Sequence, residues 1–208
     1  MISVAIPTGT MLADTLGLLR KAGVAPLEQS EIGRRLLVES GSLRVVLVRP
    51  TDVPAYVESG VADLGVVGKD SLGESPGSYY ELLDLGFGGC RMVVAVPRAA
   101  GLRGPSTWPP LLRVASKYPL TAMNYMRSVG QTAEVIHLHG SVELAPMVGL
   151  VDAIVDLTAS GRTLRENDLL EVAEVGTSSA RLIANQAAMK TRSAELLEVI
   201  SRLRGALR

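Results

Sequence analysis

The sequence predicts an α/β protein. Short β-branched runs alternate with helical patterns along the chain. Proline or glycine punctuates most of these runs, as strand ends and helix stops require. The 208 residues are 47% hydrophobic, enough apolar material for a real core.

The elements follow in order. Ser3 to Ile6 reads as a strand ending at Pro7. Met11 to Ala22 reads as a helix closed by Gly23. Leu43 to Val48 is a strand stopped by Pro50, and Thr51 is placed to cap a short helix through Glu58. Leu64 to Val67 and Met92 to Val96 are apolar strands. Ala99 to Pro110 lacks periodicity and reads as a loop. Then come strand Arg113 to Ser116, helix Leu120 to Val129, strand Glu134 to Leu138, helix Val142 to Val148 and strand Ala153 to Leu157. Glu171 to Ala184 reads as extended, and Ala187 to Leu207 as one amphipathic helix with Leu196, Val199, Ile200 and Leu203 on a face. The loop before Pro110 divides two lobes in this reading. The extended stretch crosses back, so the first lobe is discontinuous.

Composition excludes several classes. Twenty-one basic and 21 acidic residues leave no net charge, which argues against bulk electrostatic binding of nucleic acid. Seven aromatic residues offer no stacking platform. The single cysteine, Cys90, excludes an internal disulfide and a cysteine-built zinc site, and suits a reducing, cytoplasmic compartment. Charges or glycines interrupt every apolar run, and the first residues lack a basic leader region, so neither a membrane span nor a signal peptide is expected. His137 and His139 alternate on one strand face without a third ligand nearby, which favours a structural role over a metal site.

The most informative segment is VDAIVDLTASGRTLREN, from Val151 to Asn167. An apolar strand delivers Asp156 to its carboxyl end, where ligands of open α/β sheets sit. Thr158, Ala159, Ser160, Gly161, Arg162 and Thr163 then form a small, hydroxyl-rich loop before a helical turn. Such a loop can cradle a phosphate monoester, and Asp156 beside it suits a sugar diol. The plainer alternative is an ordinary turn with a helix cap; the acid at the strand end favours the cradle.

These residues carry a resemblance. AIVDLTASGRTL resembles the phosphoribosyl-pyrophosphate loop of phosphoribosyltransferases. Six blocks in order resemble the ATP phosphoribosyltransferase family: RPTDVPAYVESGVADLGVVGKDSL from Arg49, DLGFGGCRMVVAVP from Asp84, SKYP from Ser116, HGSVELAP from His139, GLVDAIVDLTASGRTLREN from Gly149 and SARLIAN from Ser179.

The resemblance implies two α/β lobes around a central cleft, like type II periplasmic binding proteins with two crossovers. Residues 1–92 plus 175–208 would form lobe I, the ATP side. Residues 93–174 would form lobe II, the phosphoribosyl-pyrophosphate side. It implies transfer of the phosphoribosyl group to N1 of ATP, the first step of histidine biosynthesis, with Mg²⁺ carried by substrate phosphates and no metal ligand assigned in the chain. Asp156 to Thr163 would hold the ribose and its 5-phosphate, with Glu143 near the same substrate. Arg49, Arg91 and Lys117 would be the cations at the phosphates, and Arg49, Glu143 and Asp156 the catalytic group. Thr8, Gly9, Thr10, Gly68 and Asp70 would line the ATP side. The family usually places a lysine and an arginine around the glycine of this turn. Here both are threonine, which leaves either a compensating cation, Lys69 or Arg20, or a weaker enzyme. Short members of the family work with a regulatory subunit resembling histidyl-tRNA synthetase, so a hetero-oligomer built on a homodimer is expected. Two rival readings are a small-ligand binding module and a phosphoribosyltransferase for another base.

Overall fold

The computed structural model describes all 208 residues, Met1–Arg208. In chain order the first elements are β1 (Ile2–Pro7), α1 (Leu12–Lys21), α2 (Gln29–Ile32), β2 (Leu37–Ser40), β3 (Leu43–Val48), α3 (Val53–Glu58), β4 (Leu64–Gly68), α4 (Lys69–Glu74) and β5 (Tyr79–Asp84). Next come β6 (Cys90–Pro97), β7 (Leu111–Ser116), α5 (Pro119–Ser128), β8 (Thr132–His137), α6 (Leu144–Met147), β9 (Ala153–Thr158), α7 (Arg162–Glu166) and β10 (Leu169–Ser178). The chain ends with β11 (Ala180–Asn185), α8 (Gln186–Thr191) and α9 (Ser193–Ala206).

The chain divides into two compact units, Met1–Gly88 with Ser179–Arg208, and Gly89–Ser178. The expected divisions at 92/93 and 174/175 fall inside β6 and β10, the second at a bulge of β10 between Glu174 and Gly176; the units part at the outer ends of these strands instead.

The first unit is a six-stranded sheet in the order β2-β3-β1-β4-β11-β5. β1 runs parallel to β3 on one side and to β4 on the other. The chain reaches β3 from β1 through α1, and β4 from β3 through α3, with β3 and β4 on either side of β1 in the strand order. Leu16 and Leu19 of α1 pack on one face of the sheet, and Val53 and Val57 of α3 on the other. This is the switch-point arrangement that leaves a crevice at the carboxyl ends of the strands.

The second unit repeats the plan in five strands, β10-β6-β9-β7-β8. β7 is parallel to β8 and β9 on its two sides. Ala122 and Met126 of α5 cover one face, and Ala145 of α6 the other.

Several local expectations are corrected. The C-terminal helix is two helices, because Arg192 leaves helical geometry at φ −131°. Its guanidinium is held by buried Asp63, by the Met1 carbonyl and by Glu195. Thr51 lies within a 3-10 turn, Pro50–Asp52, and makes no cap hydrogen bond. The loop after Pro97 contains two short 3-10 turns, Arg98–Ala100 and Pro105–Thr107. Cys90, at the start of β6, is partly exposed. No helix is long and apolar enough to cross a membrane.

Candidate active site

In the second unit, Ser116 at the end of β7 stands opposite Val155 of β9, so Lys117 and Asp156 follow side by side at the switch point. Ser116 is fully buried; its hydroxyl donates to the Val155 carbonyl at 2.6 Å and accepts the Tyr118 amide at 2.8 Å. It ties the two strand ends together. Its role was not read from the sequence; the available signal is a hydroxyl ending an apolar strand.

Asp156 shares its sheet face with Ile154, on the side packed by Val142, Ala145 and Leu164. Burial there pushes its carboxyl up to about 6, against the Leu157 amide it accepts at 2.8 Å. The charge of Glu143 raises it further, and that of Lys117 opposes the rise. The three sequence-predicted residues Glu143, Asp156 and Lys117 are thus brought into one electrostatic group. Glu143 is delivered by a turn in which Ser141 takes a left-handed φ of 48°, an uncommon geometry for a residue with a side chain. His137 and His139 lie against each other just before this turn, ring centroids 4.6 Å apart.

The loop after β9 is built as a cradle. Gly161 adopts φ 70°, which glycine takes without strain. Thr158 is buried, and its Oγ1 accepts the Gly161 amide at 2.8 Å. Thr158 was expected at the phosphate; its oxygen also shapes the loop from inside by holding the Gly161 amide. Ala159, Ser160, Arg162 and Thr163 are exposed. Arg162 is paired with Glu166, at 2.7 Å.

Arg91 lies across the sheet from this loop, opposite Thr158. It was expected as a cation at the phosphates, and Glu171 and Glu174 of β10 hold its guanidinium, which raises its affinity for its proton. Lys117 has its ammonium 5.8 Å from the Tyr118 ring centroid.

In the first unit, the carboxyl ends of β3, β1 and β4 bring Arg49, Thr8 and Gly68 into a row. Gly9 takes φ 90°. Gly68 precedes α4, and the Asp70 carboxylate lies where a Gly68 side chain would sit, 2.3 Å from an added Cβ. A side chain there would displace the Asp70 carboxylate from its present position. The two compensating cations weighed from the sequence are engaged: Lys69 pairs with Glu81 and Arg20 with Glu28. Among the strand-end cations of this unit, Arg49 is exposed and makes no carboxylate pair.

The profile of the ATP phosphoribosyltransferase family matches residues 49–205. The chain belongs to the ATP phosphoribosyltransferase family. An ATP phosphoribosyltransferase of Rubrobacter xylanophilus is 48% identical over 197 residues, covering 94% of this chain and 91% of the relative. One of Aquifex aeolicus is 46% identical over 204 residues, covering 98% and 94%. Among solved structures, the ATP phosphoribosyl transferase (HisG:HisZ) complex from Thermotoga maritima includes a chain 33% identical, with TM-score 0.85, covering 100% of this chain and 98% of that one. The alkanesulfonate-binding protein SsuA of Xanthomonas axonopodis pv. citri matches with TM-score 0.60 at 14% identity, over 99% of this chain and 72% of that one. The latter likeness shows the fold alone, the periplasmic-binding-protein type expected from the resemblance. Within this ATP phosphoribosyltransferase family chain, the cradle after β9 and Arg49 both lie inside the matched span.

Proposed function

We propose that the chain transfers the 5-phosphoribosyl group of phosphoribosyl pyrophosphate to N1 of ATP, releasing pyrophosphate, as the first step of histidine biosynthesis. The observation that carries this reading is the Gly161 loop with Asp156 beside it, in a chain of this family.

The residues divide the work. The loop from Ala159 to Thr163 holds the 5-phosphate through its hydroxyls and the N–H groups other than that of Gly161, which Thr158 holds. Ionised Asp156 accepts from the ribose hydroxyls. As the C1–O bond breaks, positive charge develops on the ribose and negative charge on the departing pyrophosphate. Lys117 offsets the latter, a contribution that grows toward the transition state, and Arg49 serves the phosphates of the ATP side. N1 of adenine already carries a lone pair, so attack requires no strong base.

Bound with the substrate phosphates, Mg²⁺ would supply charge neutralisation there. A phosphate-borne Mg²⁺ needs only one or two carboxylates from a protein. Asp156 and Glu143, which feel each other's charge, are the pair that fits. Thr8, Gly9, Thr10, Gly68 and Asp70 form the ATP side.

The reading includes a regulatory partner resembling histidyl-tRNA synthetase, in a hetero-oligomer built on a homodimer. Leu144, Met147, Val148 and Leu150 stand exposed in one short stretch, apolar surface of the kind a partner covers. It also implies a cytoplasmic location, where ATP and phosphoribosyl pyrophosphate are made. The test is turnover of this chain alone and with such a partner, each with and without histidine. The expected result is a gain of both activity and histidine inhibition with the partner. Full, histidine-inhibited activity of the chain alone contradicts the partnership.

A further inference from the structure

The peptide joining Ser160 to Gly161 is held at both ends. Its N–H donates to Thr158 Oγ1 at 2.8 Å, and its carbonyl accepts from Arg165 Nη1 at 3.0 Å. Thr158 is buried and fixed by its strand, whereas Arg165 is exposed on α7. The backbone N–H of Arg165 also donates to the Gly161 carbonyl at 3.1 Å, so one residue grips two successive carbonyls of the loop. A Cβ added at Gly161 would lie 3.0 Å from Arg165 Nη1. The guanidinium therefore occupies the space that the missing side chain leaves.

The two arginines of α7 differ in what they are free to do. Arg162 is committed to Glu166. Arg165 makes no ion pair and spends a donor on a neutral carbonyl. A carbonyl oxygen that turned toward a bound phosphate would repel it, while an N–H would attract it. Holding the Ser160 carbonyl on a guanidinium forbids that rotation.

We propose that Arg165 is a positioning residue for phosphoribosyl-pyrophosphate binding: with Thr158 it locks the Ser160–Gly161 peptide so that the cradle is formed before the 5-phosphate arrives. The proposal rests on the assignment of this loop to the 5-phosphate. It goes beyond that assignment by naming what fixes the loop. Binding to a preformed loop avoids the ordering cost that a mobile one incurs.

The experiment is calorimetry with phosphoribosyl pyrophosphate and Mg²⁺ on the full chain, without ATP. Wild type, Arg165→Ala and Thr158→Val are compared at about 0.1 M and about 1 M salt, where screening lengths are roughly 10 and 3 Å. Both variants are expected to bind on the order of tenfold more weakly, about 1.4 kcal/mol. The weakening is expected to persist at high salt, because a lost peptide lock is not screened. Thermal unfolding separates a folding defect from a binding one, and ribose 5-phosphate as a second probe isolates the 5-phosphate end. Equal affinity for wild type and Arg165→Ala overturns the proposal. So does a difference that vanishes at high salt, which would make Arg165 a bare charge. A wild-type chain that binds phosphoribosyl pyrophosphate yet never transfers it to ATP would fail the reaction assignment instead, and the affinity comparison would still decide the role of Arg165.

Discussion

The Thr8 amide donates to the Val48 carbonyl at 2.9 Å, which fixes the Thr8-Gly9-Thr10 turn beside Arg49. The turn carries no charge of its own. Lys69 and Arg20 are already paired with carboxylates. Arg49 is thus left as the cation of this strand-end row. Restoring charge with Thr10→Arg is expected to tighten ATP binding roughly fivefold, the ~1 kcal/mol of an exposed ion pair. Calorimetry with ATP checks it; unchanged affinity would mean that the turn does not meet phosphate.

Arg49 and Arg91 are expected to differ on substitution. Arg49→Met removes an unpaired cation and should lower kcat/KM on the order of tenfold or more, the scale of a charged hydrogen bond. Arg91→Met removes a guanidinium already shared by Glu171 and Glu174, so the loss should be smaller. Steady-state kinetics on both variants decide the order. A larger loss at Arg91 would show that substrate draws it away from its carboxylates.

Asp156 links stability to pH. Burial raises its carboxyl from 3.8 to about 6 in the folded chain. The folded state therefore binds the proton more tightly than the unfolded state does. That contribution to stability is fully present below pH 3.8 and is lost as pH rises through about 6. At pH 8 the ionised, buried carboxylate is a cost of up to about 3 kcal/mol. Asp156→Asn should therefore be more stable than wild type at pH 8 and no different near pH 3, by urea unfolding. The same variant should lose turnover sharply, and wild-type kcat/KM should fall as pH drops through about 6. A variant equally active, or no more stable at pH 8, would remove the buried charge from the account.

Gly65 is a packing requirement of β4. An added Cβ would lie 2.6 Å from Val57 Cγ2 and 2.8 Å from Val53 Cγ1, both fully buried on α3. Gly65→Ala should cost about 1–3 kcal/mol of stability through overpacking. Chemical denaturation measures it, and an unchanged midpoint would mean that α3 can shift without cost.

The buried strands were legible because they are apolar runs ended by proline or glycine, as in Leu43–Val48. The two edge strands of the first sheet were not. Tyr79–Asp84 and Leu37–Ser40 lie at sheet edges, where Glu81, Asp84, Glu39 and Ser40 interrupt their apolar residues and leave no continuous apolar run. The break at Arg192 was also hidden, because the helical periodicity continues through it and the cause is Asp63, far along the chain. In the site, the loop of small and hydroxylated residues after Asp156 announced itself locally. The pairing of Arg91 with Glu171 did not, since the partners stand 80 residues apart. Arg165 reads in the sequence as one more solvated helix charge; only the fold shows it on the Ser160 carbonyl.

The central claim is the reaction, and its product tests it most directly. The chain, with a histidyl-tRNA-synthetase-like partner present, is incubated with ATP, phosphoribosyl pyrophosphate and Mg²⁺, and the mixture is read by mass spectrometry and by pyrophosphate release. The account predicts ATP carrying one phosphoribosyl group, attached at N1, with one pyrophosphate released for each product molecule. Transfer to a different base, or no transfer to ATP by a chain that still binds phosphoribosyl pyrophosphate, would contradict it.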